Sequence, residues 1–383
     1  MNFTELEHAV LQDIEQMQPQ VLELIETMCA IPAPSHHEEL RAAFVREWFV
    51  SRGMHAEIDE AKNVRIPMGL DEHEDIVVVM AHMDTVFPDM EPMPFSRIDG
   101  KLCCPGVGDN TTNLAAMMLM AQYLNTHGYQ PRCGVLFVAD SCEEGLGNLK
   151  GCKAIMHAYG SRVKAFLALD GGVEDVCTQA VGSARYRITA KTRGGHSFAD
   201  FGQRNAIAVL AGIIGALYQQ QVPQEAGSTT TYNVGTIQGG TSVNTIAQQA
   251  EMLYEYRSDS AQCLAVMESQ LRAVLAAQKV QDAQVELELL GLRPCSENVD
   301  PVSQQQLTDL CSAALAHYVG EKPELLAAST DCNIPLSMGV PSACFGVYRG
   351  KGAHTREEWV EADSICSGMK AAFSVIESWF EKR

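Results

Sequence analysis

Three short apolar runs stand out along the chain because they carry no polar alternation: "DIVVVMA" (75–81), "CGVLFVA" (133–139) and "VKAFLAL" (163–169). Each is too short for a helix. Unbroken apolar runs of this length fit strands buried on both faces, as in parallel sheets. Between the first two, "TTNLAAMMLMAQYLNTHGY" is helical in composition and stops at a His-Gly pair. Residues 4–31 and 36–52 space their apolar side chains as amphipathic helices. Together these predict an α/β layer architecture.

From residue 184 to 296 the texture changes. "ARYRITAKT" alternates like a half-exposed strand, "NAIAVLAGIIGALYQQ" is a helix, "TTTYNVGTI" and "AEMLYEYRS" are strands, "AQCLAVMESQLRAVLAAQ" is a second helix, and "AQVELELLG" alternates again. The order β-α-β-β-α-β predicts a small α+β domain with its helices on one face. Afterwards "SQQQLTDLCSAALAHYV", "SACFGVY" and "ADSICSGMKAAFSVIESWF" return to the first texture. The expected division is a discontinuous domain, 1–183 with 297–383, interrupted by an insertion at 184–296. The 383-residue length agrees, since single cores stop growing near about 250–300 residues.

Charge narrows the function classes. Asp and Glu number 48 against 28 Lys and Arg, a net charge of −20, and no basic cluster offsets it locally. This excludes a nucleic-acid footprint. No run approaches the roughly 18–20 apolar residues that cross a bilayer, which argues against a membrane protein. The acidic start "MNFTELEHAVLQDIEQ" lacks the basic and apolar regions of a secretory leader, so a cytoplasmic location is expected. The 13 cysteines are odd in number, scattered and free of CxxC pairs, and they read as small buried hydrophobes.

The chemistry lies where the strands end. "VVVMA" runs into His82 and Asp84, "VLFVA" into Asp140, Glu143 and Glu144, and "FLAL" into Asp170. Ligands of open α/β sheets bind beyond the strands' carboxyl ends, so these endings are expected to converge. Convergent carboxylates are costly unless a cation neutralises them. Imidazole with several carboxylates suits Zn²⁺, Co²⁺ or Mn²⁺ better than Mg²⁺ or Ca²⁺. In "HMD", residues two apart on an extended segment face the same way, so Asp84 can take the second ring N–H of His82. Adjacent Glu143 and Glu144 are expected to point apart, one toward metal and the other toward water.

Taken singly, these residues have plain readings. Asp109 in "GVGDNT" looks like a helix N-cap, and that loop lacks the third glycine of a dinucleotide site. Glu143 and Glu144 could be turn acids, His196 a solvated loop residue, and Arg257 an exposed charge on an edge strand. Cys142 has no evident histidine partner and reads as inert. His8, His36, His37, His55, His73, His127, His157 and His317 read as ordinary surface or core residues.

In combination, "AHMDTV", "GVGDNTTNLAA", "CEEGLG", "LDGG", "GGHSF" and "GKGAHTREEWV" occur in an order and spacing that resembles the M20 metallopeptidases. These are co-catalytic dinuclear zinc amidohydrolases, and the likeness leans to the peptidase T-like and acetylornithine deacetylase-like group. It implies a phosphorylase/hydrolase-like catalytic domain with a mostly parallel sheet and an inserted ferredoxin-like lid or dimerisation domain. It also implies two divalent metals, Zn²⁺ before Co²⁺ or Mn²⁺, with His82 and Asp170 on one, Glu144 and His354 on the other, and Asp109 bridging. Glu143 would be the general base, Asp84 the orienter of His82, and His196 a polariser of the scissile carbonyl from its own or a partner subunit. Asn244, Arg257, Ser329, Thr330 and Asp331 would contact substrate, and the Asp109–Asn110 peptide would be cis. Cys142 departs from the pattern, standing where many relatives have a third acid.

The implied activity is hydrolysis of an amide bond in a small substrate by a homodimer. A di- or tripeptide exopeptidase, aminopeptidase-like, comes first. An N-acyl-amino-acid deacylase is the alternative. A catalytically silent metal-binding or scaffold protein is the reading from a different class, and Glu143 argues against it.

Overall fold

The computed structural model describes residues 3–277 and 282–382. They divide into two compact units, one running to Ala180 and resuming at Glu297, the other Val181–Ser296. The change of texture placed at residue 184 thus falls three residues late.

The first unit is built on an eight-stranded, mostly parallel sheet. Its order is Glu57–Ile58, Val64–Met68, Gly134–Asp140, Ile76–His82, Val163–Ala168, Ser342–Cys344, Asp175–Ala180 and Glu324–Ala328. Ile76–His82 lies parallel to both Gly134–Asp140 and Val163–Ala168. All seven residues of Ile76–His82 and of Gly134–Asp140 are buried. The lack of alternation has a direct cause: Val77, Val79 and Ala81 enter one core while Ile76, Val78 and Met80 enter another on the opposite face.

The expected helix over 4–31 is two helices, His8–Gln16 and Gln18–Cys29. Pro19 sits in the first turn of the second, where a missing N–H is tolerated, and so marks a start that hydrophobic spacing alone conceals. The helix expected over 36–52 is shorter, Glu39–Val50. Asn113–Thr126 ends as expected, with His127 as C-cap and Gly128 at φ 73°.

The second unit holds an antiparallel sheet ordered Thr230–Gly239, Gln249–Ser258, Gly182–Thr192 and Ala283–Arg293. Helices Ala206–Leu217 and Ala261–Ala277 share one core with Tyr186, Ile188, Met252 and Tyr254. Gln278, read as the last residue of the second helix, lies outside the described residues. Gln249–Ser258 is an interior strand, so Arg257 is not an edge charge.

Candidate metal centre

Three strand ends and one hairpin converge in the first unit. His82 closes its strand opposite Asp140 in register. Asp170 follows the Val163–Ala168 strand, held by the Leu169 amide on the Met80 carbonyl at 2.7 Å and its own amide on Phe345 at 3.2 Å. Gly346 is required beside it, because a Cβ there would lie 1.7 Å from the Gly171 carbonyl oxygen. His354, at φ 65°, sits between Gly350–Lys351 and Trp359–Glu361, which pair with each other. Trp359–Glu361 in turn pairs with Lys101–Cys103, the strand leading into the Asp109 loop. That pairing joins residues 256–260 positions apart in sequence.

Asp109 is not a helix cap. It lies in the widened turn Val107–Thr112 ahead of the helix, and the Asp109–Asn110 peptide is cis. Asn110 Nδ2 donates to the Leu169 carbonyl at 2.9 Å, and Asn113 Nδ2 to Asn110 Oδ1 at 2.7 Å and the Gly171 carbonyl at 3.0 Å. These bonds tie the Asp109 turn to the Asp170 turn.

Asp109 Oδ1 lies 3.0 Å from His82 Nε2, and Oδ2 lies 3.0 Å from His354 Nε2. Asp170 Oδ1 is 3.9 Å from His82 Nε2, and Glu144 Oε1 is 3.3 Å from His354 Nε2. Donor atoms about 2.0–2.2 Å from a tetrahedral Zn²⁺ are separated by roughly 3.3–3.6 Å. The sets His82–Asp109–Asp170 and Asp109–Glu144–His354, with Asp109 common to both, each bring their donors within 4.8 Å of one another, close enough to hold a cation after small adjustments. His354 is 57% exposed, which leaves that side open.

Electrostatics point the same way. Burial, then the charge of Asp109, pushes Glu144 up to about 8 and Asp170 up to about 7. Hydrogen bonding to Asp109 and then Glu144 lifts His354 to about 10. Burial opposes ionisation of Asp109, but His354 and His82 outweigh it and hold the carboxyl low. The upward shifts of Glu144 and Asp170 reflect carboxylates crowded in a buried place, a cost that a divalent cation would relieve.

Glu143 and Glu144 are each 5% exposed. They do not diverge as far as expected, since atoms of both lie within 4.8 Å of a His82 nitrogen. The hydrogen-bond partner of His82 Nδ1 is the Asp84 main chain rather than the expected carboxylate. The Asp84 carbonyl oxygen is 3.1 Å and its Oδ1 3.5 Å from His82 Nδ1, while its carboxylate accepts the Glu143 and Glu144 amides at 3.0 and 3.1 Å and the Ser35 hydroxyl at 2.6 Å. The paired glutamates thus stand on a buried carboxylate.

Of the other candidates, Asp331 belongs beside this cluster, since burial and then the charge of Glu143 push its carboxyl well above the usual range. Thr330 and Asp331 are buried, and the Thr330 hydroxyl accepts the Cys332 amide, so of that trio Ser329 alone keeps intermediate exposure. In the second unit, His196 pairs with Thr245, the Asn244 carbonyl accepts the Ser197 amide at 3.0 Å, and Arg257 bonds Glu255 at 3.1 and 3.2 Å.

Two residues escaped the sequence reading. Glu358, buried at 2%, accepts the amides of Gly108 and Asp109 at 2.9 and 2.8 Å and that of Gly106, clamping the loop that presents Asp109. It lies inside "GKGAHTREEWV", but nothing separated it there from exposed Glu357. His36 Nδ1 lies 3.3 Å from Cys142 Sγ, so the thiol has the histidine neighbour that the sequence did not reveal. None of the 13 cysteines is in a disulfide.

Residues 78–378 match the family described as peptidase family M20/M25/M40. An 81-residue stretch is 35% identical to the cytosol non-specific dipeptidase of Escherichia coli (strain K12), covering 20% of this chain and 16% of that protein. The fold is similar to aminopeptidase PepT from Bacillus cereus, at TM-score 0.73 and 20% identity over 94% of this chain and 98% of that one. It is also similar to the di-peptidase Dug1p from Saccharomyces cerevisiae, at TM-score 0.75 and 16% identity over 97% and 98%. The family match covers most of the chain and includes every donor at the converging strand ends and hairpin: the protein belongs to peptidase family M20/M25/M40 and is a hydrolase.

Proposed function

We propose that the protein hydrolyses the peptide bond of di- and tripeptides with two divalent cations, Zn²⁺ first, held by His82, Asp170, Glu144 and His354 around a shared Asp109. The observation that carries this reading is the Asp109 carboxylate, whose two oxygens each face a different histidine at 3.0 Å, one of which, His82, has a Glu143 oxygen within 4.8 Å of a ring nitrogen. Bound cations would lower the pKa of water toward neutrality and polarise the scissile carbonyl.

The chain's own groups do the rest. Glu143 takes a proton from the attacking water as its oxygen bonds to the carbonyl carbon, then delivers that proton to the departing nitrogen as the C–N bond breaks. Asp84 and Glu358 keep Glu143 and Asp109 in place through backbone amides. His196 is assigned to the oxyanion. Its Nδ1 accepts the Phe198 and Ala199 amides at 3.2 and 3.3 Å, which leaves the ring proton on Nε2 as a donor. Asn244 and Arg257 are assigned to the substrate's polar ends. In this reading the insertion is a ferredoxin-like lid through which a cytoplasmic homodimer forms.

A panel of free dipeptides, tripeptides and N-acyl amino acids, assayed with Zn²⁺, Co²⁺ and Mn²⁺, tests the proposal. Turnover of free peptides above N-acyl amino acids is expected. The reverse ranking would make the protein a deacylase, and absence of turnover with metal bound would make it a binding protein.

A further inference from the structure

The turn carrying Glu143 is held from its far side by groups that the proposed chemistry does not use. Cys142, one residue earlier, is fully buried and has a φ of 59°, a left-handed conformation that residues with side chains hold only with support. Its thiol donates to Glu38 Oε1 at 3.2 Å and lies 3.3 Å from His36 Nδ1. Glu38 is itself fully buried. It takes the His36 amide on the same oxygen at 2.7 Å and faces Lys62 Nζ at 3.4 Å with the other.

His36 is also left-handed, with φ 74°, so two residues in a rare conformation meet across one buried carboxylate. Gly147 closes the opposite side, where a Cβ would lie 2.6 Å from the Cys142 carbonyl oxygen. The same N-terminal segment sends Ser35 to Asp84, which holds the amides of the glutamate pair. At 3.2 Å from Glu38 Oε1, the thiol is the donor and the carboxylate the acceptor.

We propose that Glu38 is a positioning residue for the catalytic base: by accepting from the Cys142 thiol and the His36 amide, it fixes the left-handed turn that aims Glu143. This rests on Glu143 being the base. Asp84 fixes the amides of the pair and Glu38 fixes the residue before them. Losing Glu38 therefore loosens Glu143, the next residue, more than Glu144, whose carboxylate also faces His354 at 3.3 Å.

The test compares Glu38→Ala, Glu38→Gln and Cys142→Ala by kcat, KM, bound metal and the pH profile of kcat/KM. Glu38→Gln keeps an acceptor oxygen and is expected to stay within about threefold of wild type. Glu38→Ala is expected to lose kcat on the order of 10²-fold, with KM and both metals retained and the acid limb of the profile displaced. Cys142→Ala is expected to move the same readouts in the same direction, and it decides the matter should Glu38→Ala not fold. Unchanged kcat in the folded variants, or kcat falling only in parallel with metal and thermal stability, would overturn the proposal. The underlying reading fails separately, by full turnover in Glu143→Gln.

Discussion

Glu143→Gln is expected to lower kcat by about 10²–10⁴-fold while two metal equivalents remain bound. The change keeps the side chain's size and its amide on Asp84, but removes the group that accepts a proton from water. None of the four terminal donors, His82, Asp170, Glu144 and His354, is altered, so metal content should not follow activity down. KM should change little, because the lost interaction belongs to the transition state. Metal analysis beside steady-state kinetics on a free dipeptide checks the outcome. Equal loss of metal and rate would make Glu143 a ligand instead.

Asp109→Ala is expected to abolish binding of both ions under conditions where the wild type holds two. In the two sets that share Asp109, His82 with Asp170 and Glu144 with His354 would then remain as pairs, fewer than the three protein ligands of a catalytic zinc site. His354→Ala, which removes an outer ligand, should cost one ion at most. The contrast can be read without activity. Added Zn²⁺ should raise the thermal transition of the wild type, by linkage worth about 2.7 kcal/mol at a concentration 100 times Kd, and leave that of Asp109→Ala unmoved. Retention of one tight ion by Asp109→Ala would argue against a shared carboxylate.

The residues that ended apolar runs were legible because a buried strand has one chemical exit. His82 and Asp170 follow from that rule alone, and the structure brings both to Asp109. The doubly buried strands were legible for the same reason: side chains on both faces enter cores. What stayed hidden depends on partners far apart in sequence. Glu358 became distinct from Glu357 only when Trp359–Glu361 paired with Lys101–Cys103 and turned one carboxylate onto three amides. His36 looked ordinary because Cys142 is 106 residues away. Arg257 looked like an edge charge because strand order, Thr230–Gly239 outside Gln249–Ser258, is a tertiary property. The break before Pro19 was readable locally, but the apolar spacing continues across it.

The most direct measurement is dipeptide turnover by chelator-stripped protein as Zn²⁺ is returned stepwise. Negligible turnover after stripping, with full recovery as the second equivalent binds, is expected of two cations held around Asp109. Undiminished turnover by the stripped protein would contradict it.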